Sequence, residues 1–181
     1  MKLFEKTLEQ KMLYQGKIIS VHLDKAELED GRTVMRECVD HCGGVCVAVL
    51  TDENEMLFVR QYRYPYHEVV LEAPAGKLEP SEDPFEAAKR EQREETGTTG
   101  KNYLSLGVMY PSPGYANEVL HLYACRVASR GELCLDEGEF LEVEKIPLSR
   151  AVEMAEHGEI PDAKTQLLIL RAEKLVAQGK L

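Results

Sequence analysis

The spacing of apolar positions changes several times along the chain, and these changes predict helices packed on a largely β core. Val45-Cys46-Val47-Ala48-Val49-Leu50 is an unbroken apolar run; the polar stretch Thr51 to Glu55 and then Met56-Leu57-Phe58-Val59 follow it, which reads as a buried hairpin. Two extended stretches, Lys17 to Leu28 and Thr33 to Asp40, flank Glu29-Asp30-Gly31-Arg32, and Asp-Gly between strand-like runs is a hairpin signal. Further strands are expected at Val69 to Leu71, Tyr103 to Met109, Val119 to Val127 and Phe140 to Val143. The period switches to helical after Asp83, which reads as an N-cap, with Pro84 at the first helical position, Glu86 completing a capping box and Gly97 just past the end. Two more helices close the chain, with Ser149 and Asp162 as their caps and with Leu167, Leu168, Leu170 and Leu175 as the apolar face of the last.

No repeat, low-complexity segment or linker divides the 181 residues, which are enough to bury a sizeable core in one compact unit. The first forty residues read as an N-terminal β subdomain. A formal net charge of −10 argues against binding the phosphate backbone of a nucleic acid, which requires a basic stripe. A small phosphorylated ligand remains compatible, because a bound divalent cation reverses the local sign of an acidic site. Nothing approaches the apolar length that spans a membrane, and Met1-Lys2-Leu3-Phe4-Glu5-Lys6 does not read as a secretory signal, so a cytoplasmic location is expected. Five cysteines without a CxxC pair suit a reducing compartment. Cys38, Cys42 and Cys46 near His41 suggest a metal site, yet residues four apart on a strand lie about 13 Å from each other. Strand cysteines are the simpler reading.

The chemistry concentrates on the helix from Pro84 to Thr96. Glu91 and Glu95 are four apart and Glu94 is three from Glu91, so the three carboxylates are neighbours on one surface. Like charges at this spacing cost about 0.2 to 0.5 kcal/mol per pair, so a solvated acidic face is one reading. Glu86 has Lys89 and Arg90 on the following turn, and Glu94 has Arg90 on the preceding one, whereas no basic residue stands three or four places from Glu91 or Glu95. The spacing therefore predicts two carboxylates facing each other, uncompensated within the helix, which a hard divalent cation would relieve; Mg²⁺ takes a few carboxylates and keeps waters and substrate phosphates as its other ligands. Gly76, after a strand, allows close approach of backbone to a ligand.

Gly76, Glu82 and Arg90-Glu91-Gln92-Arg93-Glu94-Glu95-Thr96-Gly97 stand at the spacing G-x5-E-x7-R-E-U-x-E-E-x-G-U, where U is aliphatic, and the pattern resembles the box of the Nudix hydrolase family. The sequence departs at both U positions, with Gln92 and Thr98. Gln92 lies seven residues after Phe85, on the stripe expected to be buried, so its amide needs partners. Arg60-Gln61-Tyr62-Arg63, Glu72 to Gly76, Pro111 to Gly114 followed by Glu118, Asp136 to Glu139 and Asp162 to Thr165 extend the resemblance to the ADP-ribose pyrophosphatase branch. Pro113, fifteen residues beyond Thr98, is at the spacing associated with ADP-ribose in that branch.

The resemblance implies an α+β fold, a Nudix-type α/β/α sandwich with a mixed sheet at residues 43–181, preceded by an N-terminal β subdomain at 1–42. It implies an enzyme that hydrolyses the pyrophosphate of ADP-ribose to AMP and ribose 5-phosphate with Mg²⁺, or Mn²⁺ in its place. Glu91, Glu95, the Ala75 carbonyl and Glu139 are the implied metal ligands, and Glu94 assists. Glu139 or Glu137 is the implied general base. Arg36, Arg63, Pro113 and Glu118 are implied at the substrate, where a guanidinium suits phosphate or ribose oxygens, although a surface ion pair accounts for either arginine as well. Gly76, Glu82, Arg90 and Gly97 are implied as structural. A homodimer with exchanged N-terminal strands is the implied assembly, bringing Arg36 to the partner's site. Two alternatives stay open: a Nudix hydrolase of another nucleoside diphosphate derivative, such as a nucleotide sugar or dinucleotide, and a ligand sensor without catalysis.

Overall fold

The computed structural model describes residues 3–135, 138 and 140–181. The chain divides into two compact units, Met1–Gly43 with Tyr110–Val119, and Gly44–Met109 with Leu120–Leu181.

The first unit is an antiparallel sheet of β1 (Lys6–Gln15), β2 (Ile19–Glu27) and β3 (Thr33–His41), in that order. The expected Asp-Gly turn joins β2 to β3: Arg32 N–H donates to Asp30 Oδ1 at 3.1 Å, and Gly31 takes φ +84°, the left-handed region that glycine enters without strain. No apolar period marks β1, and every one of its residues is exposed. The segment 110–119, remote in sequence, pairs with the end of β3: Val39 N–H donates to the Tyr115 carbonyl at 2.8 Å and Asn117 N–H to the Val39 carbonyl at 3.1 Å. Asn117 fastens the join with its side chain, donating to Asp40 at 2.6 Å and accepting from His41 N–H at 2.9 Å.

The second unit has a seven-stranded mixed sheet and three helices. Its strands are β4 (Gly44–Leu50), β5 (Glu55–Arg63), β6 (Glu68–Glu72), β7 (Ala75–Lys77), β8 (Thr98–Met109), β9 (Leu120–Arg130) and β10 (Leu141–Pro147). The main path runs β10-β5-β4-β9-β8, with β6 on β5 and β7 on β4; β4 and β9 are parallel and the other pairs antiparallel. Helix α1 (Pro84–Thr96) covers one face of this sheet, and α2 (Leu148–Glu156) and α3 (Ala163–Ala177) cover the other. This explains why β4 is apolar throughout. Val45, Val47 and Val49 pack with Ala87 and Ala88 of α1, whereas Cys46, Ala48 and Leu50 pack with Ala151, Leu168, Ile169 and Ala172 of α2 and α3. The sandwich expected for this part of the chain is therefore present.

Several details differ from expectation. Ser149 lies inside α2 and does not cap it; Pro147 occupies the cap position, and the Asn54 carbonyl accepts the Leu148 N–H at 2.9 Å. Glu86 forms an ion pair with Lys89 at 2.7 Å and does not close a capping box. Leu170 is 43% exposed, and Ile169 takes the buried position on α3. The short β7 had no signal of its own.

Candidate active site on α1 and β7

Both ends of α1 are fixed by the residues that predicted them. Asp83 accepts from Phe85 N–H and Glu86 N–H at 2.9 and 3.2 Å, and Gly97 at φ +63° donates its N–H to the Arg93 carbonyl. Small side chains at Ala87 and Ala88 let the helix settle against β4. That approach brings the acidic residues onto the backbone of β7. The carboxylate of Glu91 lies directly over Gly76: a β-carbon there would stand 1.8 Å from the carboxyl carbon, so glycine alone fits without moving Glu91. Glu95, 4% exposed, accepts the Ala75 N–H at 2.8 Å. Glu91 and Glu95 are thus held on adjacent residues of one strand.

Arg90 organises the other side. Its Nη1 donates to Glu91 at 2.8 Å and to Glu94 at 2.9 Å, its Nε and Nη2 hold Glu82 at 2.8 and 2.9 Å, and Nη2 also reaches the Lys77 carbonyl at 3.2 Å. Glu82 in turn accepts the Glu79 N–H at 3.0 Å. One guanidinium therefore ties the 77–82 loop to the helix. It also corrects the expectation of an uncompensated Glu91: the adjacent residue supplies the charge, because the long arginine side chain swings across the surface to a nitrogen shared by two carboxylates. Hydrogen bonding to Arg90 keeps Glu82 below the usual carboxylate range, and the Arg90 pKa is raised, chiefly by Glu82.

A second ionic group anchors the strand leading into β7. Glu72 is 2% exposed and takes a two-pronged contact from Arg63, at 2.5 Å to Nε and 2.8 Å to Nη2. Lys164 at the start of α3 bonds to the same carboxylate and to Asp162 at 2.8 Å. Asp162 caps α3 through Thr165 N–H at 3.0 Å, and the Thr165 hydroxyl receives the Ala73 N–H at 2.7 Å. Burial pushes the Glu72 pKa up, but Arg63 and Lys164 outweigh it and hold the group below the usual range. Burial likewise pulls Lys164 down, and Asp162 and Glu72 more than reverse it. Sequence reasoning assigned Arg63 to the substrate; the structure places it in this ion pair. The roles of Glu72, Lys164 and Thr165 were missed, although all three lie in segments that carried the family resemblance.

Gln92, which has no explanation in the sequence, is fully buried and bonded at both ends of its amide. Its Nε2 donates to Thr98 Oγ1 at 3.0 Å, and its Oε1 accepts from Tyr103 at 2.6 Å and from the Cys125 thiol at 3.2 Å.

Arg36, Pro113 and Glu118 belong to the first unit. There Arg36 forms an exposed ion pair with Glu5, at 2.9 and 2.8 Å, Pro113 lies exposed in a turn, and Glu118 is 3.5 Å from His41. Glu137 and Glu139 lie outside the described residues. Cys38 is half-buried, Cys42 exposed and Cys46 buried.

A family model described as the NUDIX domain matches residues 40–167. The ADP-ribose pyrophosphatase of Bacillus subtilis (strain 168) is 39% identical over 167 residues, which cover 91% of this chain and 90% of that protein. The methanol dehydrogenase activator of Bacillus methanolicus is also 39% identical, over 171 residues, covering 93% and 92%. The ADP-ribose pyrophosphatase of Mycobacterium tuberculosis (strain ATCC 25618 / H37Rv) is 30% identical over 158 residues, covering 85% and 76%.

Proposed function

The chain belongs to the NUDIX family, and from that membership we propose that it hydrolyses the pyrophosphate of ADP-ribose to AMP and ribose 5-phosphate with Mg²⁺. The observation that carries the reading is the seating of Glu91 and Glu95 on the Gly76 and Ala75 backbone, which collects hard oxygen donors at one end of β7. Such a donor set fits Mg²⁺ or Mn²⁺ and not a soft metal. Glu91, Glu95 and the Ala75 carbonyl would hold the ion, with Glu94 assisting. A carboxylate has two oxygens, so acceptance of the Ala75 N–H by Glu95 is compatible with this role. A bound divalent ion would neutralise phosphate charge and make water a better nucleophile at neutral pH.

The protein side chains carry the rest. Arg90, saturated by acids, keeps the 77–82 loop and the helix in register. Glu139, with Glu137 as the alternative, would hold a further metal position and accept the proton of the attacking water. Arg63 would contact the substrate; for Arg36, Pro113 and Glu118 that role rests on the family resemblance.

We place the enzyme in the cytoplasm, since no helix among the described residues is long and apolar enough to cross a membrane and the cysteines suit a reducing compartment. Residues 1–42 would serve dimerisation by exchange of N-terminal strands; Leu8, Met12, Leu13 and Tyr14 of β1 are 44 to 58% exposed, an apolar surface that a second copy would cover. A dimer mass in solution that becomes monomeric on deletion of residues 1–15 would support this. An unchanged mass would refute it.

Hydrolysis of ADP-ribose in ¹⁸O-water, with mass analysis of the products, tests both activity and substrate. AMP and ribose 5-phosphate should form in the presence of Mg²⁺ and not with excess chelator, with kcat/KM above that for nucleotide sugars and dinucleotides. No AMP from the parent protein would refute the substrate, and a Glu91→Gln variant as active as the parent would refute the catalytic assignment. The Bacillus methanolicus relative favours a second reading, a regulator of a dehydrogenase. Stimulation of such an enzyme by Glu91→Gln as well as by the parent would identify that role as separate from hydrolysis.

A further inference from the structure

Among the described residues, one tight group of three metal-ligating side chains occurs, and it is not on the acidic helix. His22, Asp24 and Cys38 each place a ligand atom within 4.8 Å of the others. All three belong to the first unit. The register explains their meeting: His22 and Asp24 are two apart on β2 and so share a face, and Cys38 of β3 is directly opposite His22. The sequence groups Cys38 with Cys42, Cys46 and His41 further along the chain; its neighbours instead come from across the sheet.

The surroundings are those of a built site. His22 is 5% and Asp24 8% exposed, unusual burial for two ionisable side chains on a thin sheet. His22 Nδ1 lies 2.7 Å from Asp24 Oδ1, and its Nε2 lies 3.3 Å from Asp40 Oδ2. The Gln10 amide of β1 approaches the same Nδ1 at 3.0 Å. One imidazole nitrogen cannot donate to Asp24 and accept from Gln10 at once. Turning the Gln10 amide to present its oxygen removes the conflict, and the same arrangement suits a cation. The cation takes the place of the proton between Nδ1 and Asp24, while Nε2–H stays on Asp40, the carboxylate–histidine–metal arrangement that fixes a ligand's tautomer. The turned Gln10 amide offers its oxygen as a fourth ligand.

We propose that His22, Asp24 and Cys38 bind a borderline-soft divalent cation of the zinc class, with Asp40 orienting His22. One nitrogen, one carboxylate oxygen and one thiolate make a zinc set and a poor magnesium set. Tetrahedral bonds of about 2.0 to 2.3 Å need ligand atoms roughly 3.3 to 3.8 Å apart, so the His22–Asp24 pair opens slightly and the 4.8 Å envelope closes. Binding displaces the thiol proton of Cys38 and any proton shared by His22 and Asp24 to solvent, so affinity rises with pH. The site pins β2 to β3, and occupancy raises the stability of the first unit.

Cobalt(II) titration of the full chain in excess Mg²⁺ tests this, because only a thiolate ligand gives a near-ultraviolet charge-transfer band. The band should appear in the parent, in Cys42→Ser and in Glu91→Gln, and saturate at one cobalt per chain. It should vanish in Cys38→Ser, weaken at least tenfold in apparent affinity in His22→Gln, and be displaced by zinc. A parent protein without the band, a band that survives Cys38→Ser, or one lost in Cys42→Ser would each overturn the proposal. The parent result decides even if a variant fails to fold. Loss of the band in Glu91→Gln would also overturn it, by placing the ion on the acidic helix.

Discussion

Gln92 donates to Thr98 across 3.0 Å, and these are the two positions at which the chain departs from the aliphatic residues of the family box. The two polar substitutions satisfy each other. Tyr103 and Cys125 complete the amide's other side, and Thr96 adds a bond to Thr98 at 2.7 Å. Replacing Gln92 alone by Leu should take the shared acceptor from Tyr103 and the buried Cys125 thiol and cost about 1 to 3 kcal/mol. Gln92→Leu together with Thr98→Val should cost less than the sum of the single changes. Urea unfolding of the four proteins measures the coupling, and strictly additive costs would show that the contact is not a unit.

The Glu72–Lys164 pair predicts a specific pH dependence. Glu72 is held below its ordinary value of 4.5, so its contribution to stability is full above the unfolded-state pKa and is lost as pH falls through the folded one. Lys164 is raised above 10.5, so its contribution is full below that value and is lost as pH rises through the folded pKa. Lys164→Met leaves Glu72 to the two-pronged Arg63 contact and should cost about 1.5 to 3 kcal/mol at pH 7, the loss of a hydrogen bond to a charged group. The difference between parent and variant should shrink in acid below pH 4.5. A difference constant down to pH 3 would exclude this pair as its source.

Local signals explain which features were legible in the sequence. Helix α1, its caps and its carboxylates are written within the fifteen consecutive residues Asp83 to Gly97, and the β4–β5 hairpin within the twenty from Gly44 to Arg63. Strand β1 was not, because no alternation of burial marks it. The partners of Gln92 come from two strands, and Lys164 reaches Glu72 from 92 residues away, so no spacing rule finds them. The Arg90–Glu91 contact escaped because neighbouring helical residues do not face each other; a long guanidinium bridges what the helical wheel separates.

Thiol chemistry separates the cysteines by burial. Burial pushes both Cys46 and Cys125 up to about 12, so neither forms thiolate at neutral pH, whereas Cys42 and Cys134 are exposed. Iodoacetamide at pH 8 should label Cys42 and Cys134 in the native protein, and all five cysteines only after denaturation. Peptide mass mapping reads the outcome. Native labelling of Cys46 or Cys125 at the rate of Cys42 would show that the second unit opens readily.

Gly76→Ala is the sharpest probe of the active site. The added methyl would fall within 1.8 Å of the Glu91 carboxyl carbon, so the carboxylate must swing away or β7 must shift. Misplacement of a positioned group by about an ångström costs on the order of 10²-fold in rate. Pairing of β7 with β4 and the Glu95–Ala75 contact leave the strand little room to yield, so Glu91 is the part that moves. The variant should keep the parent's circular dichroism and its unfolding free energy within about 1 kcal/mol, lose kcat and need more Mg²⁺ for half-maximal activity. Raised Mg²⁺ should restore part of the rate, which it cannot do for Glu91→Gln. Full activity at the parent's Mg²⁺ requirement would mean that Glu91 does not act from its seat over Gly76.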